Sequence, residues 1–152
     1  MQTNVYNVAR YFIEKANDAK AIVPLTPMKL NKLCYIAQGF SLASRDKPLF
    51  PEEIQAWKYG PIIPELYQAY KAFGKNHIDQ PLEKFETLSD DDDKAVVDYV
   101  WNKMKNWTAM ELSGWTHRLG SAWSKLFQED MLNVEIPVSF IKQEFKQLES
   151  VA

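Results

Sequence analysis

Apolar residues recur every three or four positions along most of the chain, which is the period of an amphipathic helix. The segments that show this period are residues 3–17, 25–43, 61–73, 88–107, 108–120, 121–128 and 137–148. The pattern therefore predicts a mainly α fold with six or seven helices. We expect one compact domain over residues 1–152, because this length is typical of a single domain.

Start signals support several of these helices. Thr26 followed by Pro27 is typical of an N-cap and a first helical residue. Thr108 and Glu111 have the spacing of a capping box. The four aspartates at 90–93 favour a first helical turn, because the positive end of the helix dipole stabilises acidic side chains. A calcium loop fits poorly, since the run has no glycine at its sixth position.

Two segments depart from simple amphipathicity. The helix at 25–43 is apolar around most of its circumference, so we expect it to lie buried at the centre of the fold. Residues 52–58 alternate instead, with Ile54 and Ala56 on either side of the polar Gln55. This alternation predicts one small extended element.

An aromatic turn follows the extended element, and its residues are Trp57, Lys58, Tyr59, Gly60 and Pro61. We expect Pro61 and Pro64 in the first turn of the next helix, where a missing N–H group costs little. Two interpretations of the rings stay open. They either join strand and helix as core, or form a ledge that binds a partner, since Trp and Tyr dominate binding hot spots. We expect Trp57 to be core and Tyr59 to be partly exposed, because its hydroxyl needs water or a partner.

Composition and charge limit the classes of function. Apolar residues make up 46% of the chain, charged residues 25% and aromatic residues 13%, as in a globular protein. A single cysteine, together with no apolar run of about 18 residues, leads us to expect a cytoplasmic protein without a membrane partner. Residues 1–75 hold ten basic and six acidic side chains, whereas residues 76–152 hold eight and fourteen. This asymmetry favours a charged protein partner.

Catalytic and metal-binding candidates are few, since the histidines are His77 and His117. We therefore predict no enzyme, no metal and no cofactor. A nucleophile pair of Cys34 and His117 stays open as an alternative. Cys34 falls on an apolar helix side, however, where free cysteine behaves as a small hydrophobic residue.

Nucleic acid is a third candidate partner. Lys29, Lys32 and Lys58 with neighbouring tyrosines have the chemistry to contact phosphate and stack on bases. The acidic isoelectric point, about 5.7, and the lack of a basic stripe argue against this partner.

Two segments resemble a known family. Residues 26–39 read TPMKLNKLCYIAQG, and residues 48–64 read PLFPEEIQAWKYGPIIP. Both are similar to the Panacea antitoxin domain family, also described as SocA-like or as GepA phage-associated proteins. The positions singled out as its structural motif are Thr26, Pro27, Lys29, Leu30, Leu33, Tyr35, Gln38, Gly39, His117 and Trp123. Cys34, Phe40 and Ile62 depart from it, because Leu, Trp and Val are commoner there.

The resemblance implies an antitoxin that neutralises a cognate toxin, encoded nearby on a phage or other mobile element, by direct protein–protein binding. It also implies an alternative, an adaptor that delivers its toxin to an ATP-dependent protease. His117 is expected to be a structural histidine whose ring is hydrogen-bonded near the short 108–118 helix. At the C-terminus, residues 150–152 are a candidate handle for a protease, with an inert tail as the alternative.

Overall fold

The computed structural model describes residues 2–131 and 133–151, with side chains given as far as residue 148. Within these residues the fold is mainly α, as predicted, with seven helices and three short strands. In chain order they are α1 (Val5–Asp18), α2 (Pro27–Arg45), β1 (Gln55–Trp57), β2 (Gly60–Ile62), α3 (Pro64–Tyr70), α4 (Asp91–Met104), α5 (Ala109–Thr116), α6 (Ala122–Leu126), β3 (Val134–Glu135) and α7 (Val138–Val151). The candidate protease handle, residues 150–152, lies outside the described side chains.

Helix α2 is the centre of the fold, which confirms the prediction from its apolar circumference. It packs against α1, α3, α4, α5, α7 and β2. Its side chains are buried from Leu30 to Gly39 without a break. Gly39 is needed for the packing of α7, because a Cβ atom at this position would lie 2.2 Å from the Phe145 ring. Most of the other elements are therefore positioned by their contact with one buried helix.

The predicted helix starts are confirmed. Thr26 is the N-cap of α2 and accepts a hydrogen bond from the Lys29 backbone N–H. Thr108 and Glu111 form the capping box of α5. Asp90 is the N-cap of α4, and the three aspartates after it fill the first turn. One of them, Asp93, is buried and bonds Arg45 at 2.9 Å, so this acidic run also contributes to packing.

The region after β1 differs from the prediction. Pro61 lies in strand β2 and not in a helix, and α3 begins at Pro64. Strands β1 and β2 form an antiparallel hairpin in which Trp57 pairs with Gly60, so the turn itself is Lys58 and Tyr59. The sheet order is β2-β1-β3, which leaves β2 at an edge, where proline is tolerated because it has no N–H group to pair.

Helix α7 is attached to α2 through the Phe145 ring and the Glu144 carboxylate. Phe145 makes an edge contact with the Tyr35 ring at 5.8 Å. The buried Glu144 carboxylate accepts hydrogen bonds from the Tyr35 hydroxyl at 2.5 Å and the Ala122 N–H at 3.1 Å. Its second oxygen lies 2.8 Å from the Arg118 guanidinium. This carboxylate joins α2, α6 and α7.

Candidate functional site

Side chains from α5 and α6 hydrogen-bond to the backbone of the β1–β2 hairpin. The Trp123 indole N–H of α6 donates to the Trp57 carbonyl at 2.6 Å. The Ser113 hydroxyl of α5 donates to the Tyr59 carbonyl at 2.7 Å. One carbonyl lies just before the turn and the other lies within it, so these two hydrogen bonds fix the backbone of the turn.

Side chains of α2 hydrogen-bond to the second strand of the hairpin and to the residue that follows it. The Lys32 amine donates to the Pro61 carbonyl at 3.0 Å, and the Asn31 side-chain oxygen accepts from the Ile63 N–H at 2.8 Å. Gly60 has φ of 116°, and a Cβ atom there would lie 2.9 Å from the Thr116 hydroxyl. This contact and this angle explain why glycine follows the turn.

The five predicted partner-binding residues are divided between surface and interior. Lys58 and Tyr59 are exposed, and Tyr59 keeps 61% of its surface accessible. Trp57 is half-buried and contacts the Tyr67 ring edge-on at 5.2 Å. Gly60 and Pro61 are buried. The prediction that Trp57 belongs to the core is wrong, since it lies outside the buried cluster, whereas Tyr59 is exposed as expected.

We call Trp57, Lys58, Tyr59 and Tyr67 the hairpin surface. The Lys58 ammonium lies 5.6 Å from the centre of the Tyr59 ring, which is a cation–π contact. Tyr67, from α3, is 37% exposed. Two aromatic rings and one cation lie on a hairpin whose backbone is already hydrogen-bonded, and a third ring, Tyr67, lies beside them on α3.

A stack of rings supports the hairpin. His117 stacks on Trp123 with ring centres 3.8 Å apart, and Trp123 stacks on Phe127 at 4.7 Å. Burial lowers the pKa of His117, a hydrogen bond to the Tyr59 backbone raises it, and the Lys32 charge lowers it further. The net shift is downward, which favours a neutral imidazole. His117, for which a structural role is predicted, lies behind the turn, and its Nε2 atom has no hydrogen-bond partner among the described residues.

Most of the other motif residues lie in the interior, mainly on α2. Gln38 donates to the Phe50 carbonyl and accepts from the Leu49 N–H at 2.7 Å. Leu30 and Leu33 are fully buried. The Lys29 amine is buried and donates to the Lys105 carbonyl, and burial lowers the pKa of Lys29 to about 8. These positions hold chain segments together.

The lysines weighed for nucleic-acid contact are not on one surface. Lys29 and Lys32 are buried, and only Lys58 of the three is exposed. Burial lowers the pKa of Lys32 to about 7. The basic cluster that phosphate binding requires is therefore not formed by these three side chains.

The catalytic alternative has an unfavourable thiol. Cys34 is fully buried, and burial, followed by the nearby Glu52 charge, raises its pKa, which disfavours the thiolate. Among residues 2–131 and 133–151, no group of His, Cys, Asp and Glu side chains has the arrangement of a metal site. None of the helices in this part has the length and apolar character needed to cross a membrane.

The structure has a second exposed surface, which can be compared with the hairpin surface. An open groove of about 510 Å³ lies between α2 and α4 and includes Phe40, Val96 and Tyr99 in its lining. Tyr99 is 47% exposed. Phe40 follows Lys32 by eight residues on α2, which is roughly 12 Å along the helix axis. The groove and the hairpin surface are therefore distinct.

The fold and the exposed hairpin define a small, mainly α protein with a prearranged aromatic surface. The model of the family described as antitoxin SocA-like, Panacea domain matches residues 30–124, which is more than half of the chain. The chain belongs to this family, and the predicted resemblance is confirmed. The match begins after Thr26, Pro27 and Lys29.

A curated relative is the protein named Antitoxin SocA from Caulobacter vibrioides (strain NA1000 / CB15N). It is 29% identical to this chain over 126 residues. The alignment covers 76% of this chain and 66% of the relative, so the chain spans just under two thirds of that protein's length. No solved structure matches the chain.

Proposed function

We propose that this protein is an antitoxin that neutralises a cognate toxin by direct binding through the hairpin surface. The family and the curated relative support the antitoxin role. The observation that carries the binding mode is the hairpin itself. Its turn is fixed by Trp123 and Ser113, while Lys58 and Tyr59 remain exposed. A prearranged aromatic surface binds with a smaller loss of conformational entropy.

The proposal includes three further points. The protein acts by binding and not by catalysis, and the buried, poorly ionised thiol of Cys34 supports this. Residues 1–152 act as one domain, in the cytoplasm. The toxin is encoded by a neighbouring gene, on a phage or another mobile element. Delivery of that toxin to a protease is the competing mechanism.

The test combines growth rescue with binding. Co-expression with the neighbouring gene is expected to restore the growth that the neighbour alone stops, and the two proteins are expected to co-purify. Tyr59→Ala should weaken the complex by roughly 10-fold or more, as for a hot-spot tyrosine. It should keep the wild-type melting temperature, because the ring is exposed.

Tyr99→Ala is the matched control, since it removes an exposed tyrosine from the groove between α2 and α4. It is expected to leave rescue and binding unchanged. Rescue without any complex would contradict direct neutralisation. Equal binding by both variants would contradict the choice of the hairpin surface.

A further inference from the structure

Helix α5 contains a glycine that the fold does not require. Gly114 lies inside the helix, where glycine is destabilising relative to alanine. It is exposed, and a Cβ atom added there would meet no described neighbour within 4 Å. Gly39 and Gly60, by contrast, lie so close to neighbouring side chains that a Cβ atom would clash. The backbone at Gly114 is therefore exposed, and no contact among the described residues requires a glycine there.

The surroundings of Gly114 have the character of a binding surface. Met110 lies one turn earlier on the same helix face and is 84% exposed. Ser113, next to the glycine, bonds the Tyr59 carbonyl and so brings this part of α5 beside the hairpin surface. Methionine adapts its shape to a partner, and tyrosine is a frequent hot-spot residue.

The charges at this border favour an acidic partner group. Lys58 is exposed, and its ammonium contacts the Tyr59 ring. Within the described residues, no carboxylate forms an ion pair with Lys58. A carboxylate from another protein would gain this attraction without breaking an existing ion pair.

We infer that a segment of the toxin packs directly on the Gly114 backbone, between Met110 and Tyr59, and brings an aspartate or glutamate to Lys58. The missing side chain lets this segment approach more closely than any other residue would allow. The inference rests on the proposed function and specifies the chemistry of the partner, which is an apolar contact beside a carboxylate.

The experiment measures the affinity of purified variants for the product of the neighbouring gene. Gly114→Trp fills the bare surface and is expected to weaken binding by roughly 100-fold. Asn102→Trp, at an exposed position of α4, is the matched control and should bind as the wild type does. Lys58→Glu should weaken binding by about 10-fold at low salt, and the difference should shrink as salt screens the charges.

A third variant separates stability from binding. Gly114→Ala is expected to raise the melting temperature, because alanine favours the helix, and to weaken binding less than tryptophan does. If Gly114→Trp does not fold, Gly114→Ala and Lys58→Glu decide the question. Wild-type affinity in these variants would overturn the inference and leave the proposed function intact. If the wild type itself binds nothing, both are wrong.

Discussion

At the scale of single residues, the buried lysines show most clearly what pattern alone does not reveal. Lys29 and Lys32 lie on a helix that is mostly buried, and charged side chains usually indicate a solvated face. Each amine instead donates to the carbonyl of a distant segment, at Lys105 and Pro61. Such partners are 76 and 29 residues away along the chain, so no local spacing predicts them.

The first prediction concerns the pH dependence that Lys32 gives to stability. Burial lowers its pKa from 10.5 to about 7 in the folded state. Between these values the unfolded chain binds more protons, so stability rises with pH. From pH 7 to pH 9 the free energy of unfolding of the wild type should rise by roughly 2 kcal/mol relative to Lys32→Met.

Urea unfolding at several pH values measures this difference. Lys58→Met is the control, because its amine lies at the surface, and it should keep the pH dependence of the wild type. If Lys32→Met and the wild type changed in parallel from pH 7 to pH 9, the amine would have no role in the pH dependence.

At the scale of elements, the helices and the first short strand were predicted, whereas the second and third strands were not. α2 and α4 carry many turns of periodic residues and an N-cap, and both were predicted. β3 has only Val134 and Glu135, too few to show alternation. β2 consists of Gly, Pro and Ile and is formed because α2 holds it from below. No sequence pattern predicted the hydrogen bond from Ser113 to the Tyr59 carbonyl, because that bond depends on where the fold places the hairpin.

The second prediction concerns the attachment of α7. Glu144→Ala removes the acceptor for the Tyr35 hydroxyl and the Ala122 N–H and leaves Arg118 without its carboxylate. We expect a loss of about 2–4 kcal/mol in the free energy of unfolding, since each unsatisfied buried donor costs about 1–3 kcal/mol. Chemical denaturation measures the loss.

Gln143→Ala, at the preceding exposed position of the same helix, is the control and should change stability by less than about 0.5 kcal/mol. A similar small change in Glu144→Ala would show that α7 is held by its apolar contacts alone.

At the scale of the whole molecule, ion pairs within the fold use part of the charge asymmetry along the sequence. Basic side chains of the first half pair with acidic ones of the second, as in Lys15–Asp98 at 2.6 Å and Arg45–Asp93 at 2.9 Å. These paired charges are not free to attract a partner. The predicted role of the asymmetry in steering a charged partner therefore rests on fewer residues. Lys58 remains as an exposed cation beside the aromatic rings.

The last prediction separates direct neutralisation from delivery to a protease. Direct binding through a surface fixed by Trp123, Ser113 and Lys32 requires no further component. Co-expression should therefore restore growth equally in a parental host and in one that lacks its ATP-dependent unfoldase proteases. Colony counts measure the rescue, and immunoblots after synthesis is stopped follow the amount of toxin. We expect a toxin half-life that is unchanged or longer in the complex, because a folded, bound protein is degraded more slowly. A half-life that this protein shortens in the parental host, together with loss of rescue in the protease-deficient host, would identify an adaptor.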